Sequence, residues 1–280
     1  MAGVPPRARG AAVALVLAML GTGCGSGSAP VASISPSASL DALRAIRARA
    51  SLIVGIRVEQ PPAGRNQGDP AHTQKRALES EVATLVAREI FGASMKIELR
   101  SSGGDRLVPL ESGDVDIAMA AETPSARNRV TLSVPYAAGA VVLATKAGSS
   151  IRRVEDLQSK NVVVAQDELG AGDTAQRVLQ ERGIKASVQT VMGVNAAVAA
   201  LDAGTADALI GDRTGIAVVM RDRPGSLTIV ADVEKRPFVI ATRQRSPELA
   251  AAISDALRTL LASGVVRDAA TRAGFPYEVP

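Results

Sequence analysis

Leu110-Glu111-Ser112-Gly113-Asp114-Val115-Asp116-Ile117-Ala118-Met119 aligns without a gap to Leu201-Asp202-Ala203-Gly204-Thr205-Ala206-Asp207-Ala208-Leu209-Ile210. Each stretch reads as the end of a helix, a glycine at the cap, and an aspartate opening a buried strand. One such connection is common in α/β chains, and a chance match of a common connection is the plain alternative. Two in one chain predict two lobes of related architecture, each with its own sheet. The ends of those strands then face a shared cleft, which is where open α/β folds bind small ligands.

Outward from these segments, strand and helix signals alternate. Residues 41–50 read as a short helix, 52–56 as a buried strand, 60–76 as a Pro-, Gly- and Asn-rich loop, and 77–91 as a helix ended by Gly92. Further strands are expected at 95–99 and 115–120, with a helix over 105–112 between them. Residues 151–232 hold a second series: strand 162–165, helix 174–183, strand 187–190, helix 195–203, strand 208–211. Helices over 246–261 and 265–273 close the chain. Such alternation predicts an α/β fold whose lobes are central mixed β-sheets flanked by helices. The apolar segments 140–145 and 237–242 read as two hinge strands, with lobe 1 formed by residues 40–140 plus 238–280 and lobe 2 by 141–237.

Composition excludes several functions. The 280 residues are 46% hydrophobic, ample for packed cores. They include one His (His72), one Cys (Cys24), no Trp, and as aromatics only Phe91, Phe238, Phe275, Tyr136 and Tyr277. Cys and His are too few to build a zinc site or a disulfide framework, so neither metal nor cofactor is expected. The aromatics are too few for a base-stacking surface, and no long basic run is present, so no nucleic-acid partner is expected.

Residues 1–23 have the layout of an export signal: Arg7 and Arg9, an apolar run over 11–20, then Gly21-Thr22-Gly23 before Cys24. The run is shorter than the about 20 residues that span a bilayer. This arrangement resembles a bacterial lipobox, although Leu20 stands four residues before the cysteine rather than the usual three. The resemblance implies lipidation of Cys24 and an extracytoplasmic chain anchored to the cell membrane. Residues 24–39 then form a flexible Gly-, Ser- and Pro-rich tether. Removing Arg7 and Arg9 with the signal lowers the formal charge from +4 to +2.

From residue 52 onward the chain resembles the extracytoplasmic solute-binding proteins of ABC importers, of the polar amino-acid type. The matching pieces stand in the family's order: Leu52-Ile53-Val54-Gly55; the helix start Ala77-Leu78-Glu79-Ser80-Glu81-Val82-Ala83; 110–116 with Thr123-Pro124-Ser125-Ala126-Arg127; Leu132-Ser133-Val134-Pro135-Tyr136; Val154-Glu155-Asp156-Leu157; and 204–212. The resemblance implies a periplasmic-binding-protein-like fold of two lobes joined by two hinge strands. It also implies a non-enzymatic role: a monomer captures a small polar solute and delivers it to an ABC permease in the membrane. A lipid-anchored solute sensor is the alternative with the same fold. A dehydratase of prephenate-like acids, with Glu59 or Glu122 as its acid, is the enzymatic one.

In that family an Arg of the Thr-Pro-x-Arg segment usually holds the ligand's carboxylate, and an Asp at the end of a second-lobe strand holds its ammonium. Asp212 stands at the aspartate position, where the alternative is an ordinary strand-end acid. Ala126 stands at the arginine position. Arg127 then serves if the turn shifts by one residue, Arg129 is the next candidate, and otherwise both are surface arginines. Thr123 opens that segment. Gln60 lies in the loop after the first strand, where the usual aromatic clamp is missing, and Arg57 stands where an acid or small polar residue is common. Thr174 and its helix start are expected to present N–H donors to an anion, with Asp173 as a plain N-cap otherwise. Arg57, Arg127 and the absent aromatics together imply a ligand that is acidic or small and polar rather than cationic.

Overall fold

The computed structural model describes residues 37–56, 70–101, 105–166 and 170–280. In chain order it has α1 (Ser37–Arg49), β1 (Ser51–Ile56), α2 (Pro70–Phe91), β2 (Lys96–Ser101), α3 (Leu107–Ser112) and β3 (Ile117–Ala121). There follow α4 (Pro124–Arg129), β4 (Thr131–Leu132), β5 (Ala140–Lys146), a 3-10 turn (Val154–Leu157), β6 (Asn161–Gln166), α5 (Ala171–Glu181) and β7 (Ser187–Met192). The chain ends with α6 (Val194–Asp202), β8 (Ala208–Asp212), α7 (Arg213–Asp222), β9 (Leu227–Lys235), β10 (Phe238–Thr242), α8 (Pro247–Ala262) and α9 (Val265–Ala273).

The strands form two five-stranded mixed sheets, ordered β2-β1-β3-β10-β4 and β7-β6-β8-β5-β9. In the first, β1 is parallel to β2 and β3, and β10 runs antiparallel to β3 and β4. The second repeats the pattern, with β6 parallel to β7 and β8, and β5 antiparallel to β8 and β9. Parallel strands joined through helices are covered on both faces, which is why β1 and most of β6 read as unbroken apolar runs. On one face of β1, Leu52, Val54 and Ile56 pack with Ile46, Leu78, Val82, Val86 and Leu257. On the other, Ile53 meets Leu107, Leu110, Ala126 and Val130. Likewise Val162 and Val164 pack on α5, and Val163 and Ala165 on α6 and α7.

The sequence echo is a structural one. Gly113 and Gly204 both take positive φ, 94° and 72°, directly before the connection into the central strand. Asp116 then clasps β1: its N–H donates to Ile53 O at 2.9 Å and its carboxylate accepts from Ile53 N–H at 2.8 Å. Asp207 makes the same two-way clasp with Asn161, 2.8 Å in each direction. In each sheet, one aspartate thus sets the register between the central strand and its parallel neighbour.

Several boundaries differ from the sequence expectation. Helix α2 begins at Pro70, so 70–76 is helix rather than loop; proline suits the first helical position, and Lys75 is buried against the core while Thr73 and Arg76 stay exposed. Lys75, only 5% exposed, lies with its ammonium 4.7 Å from the centre of the Phe238 ring. Helix α5 begins at Ala171, with Gly170 at its cap (φ 69°), which places Asp173 in the first turn instead of at the N-cap. Helix α7 and strand β9 have no counterpart in the sequence expectation.

Candidate functional site

Register locates the junction of the two sheets. The carboxyl end of β3 pairs Ala121 with Phe238, the first residue of β10. The carboxyl end of β8 pairs Asp212 with Val141, at the start of β5. Strands β5 and β10 are the segments on which the chain enters the second sheet and returns to the first. Both central strands therefore end at the crossings, and β1 and β6, parallel to them, end on the same sides. The crossings themselves are hydrogen-bonded to each other: Phe238 N–H to Ala137 O at 2.9 Å, Tyr136 N–H to Phe238 O at 2.9 Å, and Arg236 N–H to Gly139 O at 2.7 Å. Gly139 is obligatory, because a Cβ there would run into the Arg236 carbonyl oxygen and lie 3.1 Å from the Phe238 ring.

Thr123 and Asp212, expected at the ligand from sequence, occupy matching places, each capping the helix that follows a central strand. The Thr123 hydroxyl accepts from Ala126 N–H at 3.1 Å, and the Asp212 carboxylate accepts from Thr214 N–H at 3.0 Å. Ala126, at the position where the family resemblance calls for arginine, is buried in the cluster under α3 and α4. Arg127 turns the other way, its side chain 67% exposed and its guanidinium bound to the Glu122 carboxylate, 2.8 Å from Nε and 2.5 Å from Nη2. Glu122 is itself tied to the crossing through its N–H to Pro237 O at 2.8 Å. Arg129 is committed elsewhere, forked onto Glu111 at 2.6 and 2.8 Å and bonded to Asp105. Burial raises the Asp105 carboxyl, but the Arg129 and Leu107 hydrogen bonds outweigh it and hold the group below the usual carboxylate range. The Arg129 hydrogen bonds hold Glu111 low as well.

Thr174 has a different place from the one expected. Its N–H donates to Gly170 O at 3.0 Å inside the helix, so it offers no donor to an anion. Its buried hydroxyl bridges Glu234 Oε2 at 3.1 Å and Arg236 Nη2 at 3.2 Å. Arg236 bonds Glu234 at 2.8 Å, and Arg177 joins the same carboxylate oxygen at 2.7 Å. The group ties α5 to the end of β9, next to the return crossing. Arg57, Gln60 and Cys24 lie outside the described residues.

A buried ion pair that the sequence barely signals supports β3. Arg106 donates to Met119 O, in the middle of that strand, at 2.6 Å and pairs at 2.9 Å with Glu79 of α2, whose side chain is 2% exposed. The only sequence signal was an acid on the buried face of α2, three residues before Val82. The aromatic residues are absorbed by the crossings and the core: Tyr136 stacks on Phe238 at 6.3 Å and Phe275 meets it edge-on at 5.9 Å. Among the described residues, no three His, Cys, Asp or Glu side chains form a metal-binding group. A groove of about 250 Å³ between α6 and α7, floored by Val194, Val198 and Val219, lies on the opposite face of the second sheet from α5.

Geometrically, then, two sheets present the carboxyl ends of their central strands, each bearing a capping Thr or Asp, to a junction crossed by two bonded strands. Comparison with known proteins agrees with the two-sheet fold. The chain is 25% identical to the ABC transporter glutamine-binding protein GlnH of Bacillus subtilis over 228 residues, 80% of this chain and 81% of that one. It is similar in structure to the amino-acid ABC transporter substrate-binding protein AbpA of Streptococcus pneumoniae bound to L-arginine, with a TM-score of 0.60 at 22% identity, covering 82% and 97% of the two chains. The GluR0 ligand-binding core in complex with L-glutamate gives a TM-score of 0.59 at 23% identity over 79% and 97%. The family model for bacterial extracellular solute-binding proteins, family 3, matches residues 52–272, and the chain belongs to that family.

Proposed function

We propose that this protein is an extracytoplasmic amino-acid-binding component of an ABC importer, held at the membrane by a lipid on Cys24 after removal of residues 1–23. The tether 24–39 gives the body reach. Lobe 1 (40–140 and 238–280) and lobe 2 (141–237) close on an amino acid or related small polar solute, which the protein passes to a permease. The role is capture rather than catalysis: closure needs only a ligand that touches both lobes and so favours the closed state. One chain holds the whole cleft, so a monomer suffices for capture. The observation that supports the reading is the pair of helix caps, Thr123 after β3 and Asp212 at the end of β8, beside the crossings. The names of the relatives, which specify glutamine and arginine, support an amino acid as the solute.

Within that class the reading favours acidic or small polar solutes over cationic ones. The preference rests on Arg57, which follows β1 in sequence, and on Arg127 of α4, which would have to leave Glu122 to reach a ligand. Calorimetry on the purified protein tests this, with glutamate, aspartate and glutamine expected to bind more tightly than lysine or arginine; the reverse order refutes the preference. Thermal stabilisation by none of the amino acids refutes capture itself. A ligand at 100 times its Kd adds about 2.7 kcal/mol, well within detection.

A further inference from the structure

The two sheets match strand for strand, yet their outer edges differ. Edge strand β2 carries Lys96, Glu98 and Arg100, the charged pattern that discourages edge-to-edge pairing. Its counterpart β7, Ser187-Val188-Gln189-Thr190-Val191-Met192, carries no charge, and five of its six residues are exposed. Val188 and Met192 are among the exposed large apolar side chains, at 46% and 80%. The backbone shows which groups face outward. Ser187 N–H donates to Lys160 O at 2.9 Å and Gly193 N–H to Gln166 O at 3.4 Å, so the odd-numbered residues bond inward to β6. By the alternation of the strand, Val188, Thr190 and Met192 turn their N–H and C=O away from the sheet.

We propose that β7 pairs with the β7 of a second copy, antiparallel and centred on Thr190, joining two five-stranded sheets into one. In that register Thr190 faces Thr190, and Val188 of each copy faces Met192 of the other. These are the residues whose backbone groups point outward, so every facing pair exchanges two N–H···O=C bonds. The two exposed apolar side chains, which lie on one face, cover each other, and Thr–Thr is a favourable cross-strand pair. A centre at Gln189 or Val191 keeps a ladder but sets Thr190 against Val188 or Met192 and leaves the two apolar side chains unmatched, while a centre between two residues faces outward groups with inward-bonded ones and loses the ladder. No like charges meet, since Lys185 falls opposite Asn195. A second copy fits this edge better than a foreign strand because register, side chains and charge are self-complementary about a single residue. The ligand cleft stays whole within each chain.

Sedimentation velocity over a concentration series tests the proposal on the full-length chain. The unaltered protein is expected to show a concentration-dependent dimer. Thr190→Lys and Thr190→Glu each set like charges face to face at the centre, and each is expected to be monomeric with its circular dichroism and melting temperature retained. An equimolar mixture of the two variants is expected to dimerise again, which no loss of folding imitates. A wild-type protein that stays monomeric at every concentration overturns the proposal, as does a dimer that persists in both single variants. Association of β7 with some other protein's strand leaves the first of those results.

Discussion

Asp212 has a structural duty and a proposed ligand duty, and two substitutions separate them. Its carboxylate caps α7 through Thr214 N–H, and the proposed reading gives it the ligand's ammonium. Asparagine caps a helix as well as aspartate does, whereas alanine costs about 1 kcal/mol. Asp212→Asn is therefore expected to keep the unfolding midpoint and lose ligand affinity, and Asp212→Ala to lose both, as read by chemical denaturation and calorimetry. Wild-type affinity in the asparagine variant reduces Asp212 to a cap. At the crossing, Gly139→Ala is expected to cost about 1–3 kcal/mol, the usual cost of overpacking a filled site. Here the clashing atoms are a backbone carbonyl and a ring already packed by Tyr136 and Phe275.

At the scale of elements, the two aspartate clasps invite comparison because their backbone bonds match and their burial differs. Asp116 is 8% exposed and also meets Arg49, while Asp207 is exposed. Asp116→Ala leaves the buried Ile53 N–H without its partner and is expected to cost about 1–3 kcal/mol; Asp207→Ala, where water replaces the bond, about 0.5–1.5 kcal/mol or less. Denaturation midpoints of equal shift would contradict this burial argument. The helix pair α3 and α4 is coupled through Arg129, which holds Asp105 and Glu111 in their charged forms. A carboxylate with a lowered folded pKa adds stability above its unfolded value and loses it as pH falls through the folded one. Arg129→Gln is thus expected to move both carboxyl titrations upward, seen by NMR, and to remove their share of the stability lost on acidification below the usual carboxylate range. The helix–glycine–aspartate–strand echo was legible in the sequence, but the clasp itself was not, because it needs the neighbouring strand brought alongside. Elements α7 and β9 were not legible either. Arg213 and Thr214 open α7 without an apolar period, and β9 is only partly buried, so its alternation is blurred. The start of α2 escaped for a related reason: Lys75 reads as solvent-facing until Phe238 comes to lie beneath it.

For the whole molecule, the question is how firmly the second lobe is fixed to the crossings, and Thr174 decides it. Sequence placed this residue at the ligand because it stands near a helix start in the second lobe. The fold instead uses both of its polar groups internally, the N–H within α5 and the hydroxyl between Glu234 and Arg236. Only the packed structure could reveal this, since Glu234 and Arg236 come from β9 and the residues just after it, sixty positions away in the chain. Other ties support the same junction. Arg213 of α7 bonds Asp232 and, at 3.1 Å, Glu278, whose carbonyl accepts from Ala138 N–H at 3.0 Å. Thr174→Val keeps the shape and removes the hydroxyl, leaving the buried Arg236 guanidinium, whose Nε has no partner among the described residues, with one bond fewer. The expected cost is about 1–3 kcal/mol of stability. Because the hydroxyl is spent on the crossing, affinity for the cleft ligand measured well below the melting temperature is expected to stay near wild type. If valine instead leaves stability unchanged and abolishes binding, the hydroxyl turns to the ligand on closure, and the junction is held by the ion pairs without it.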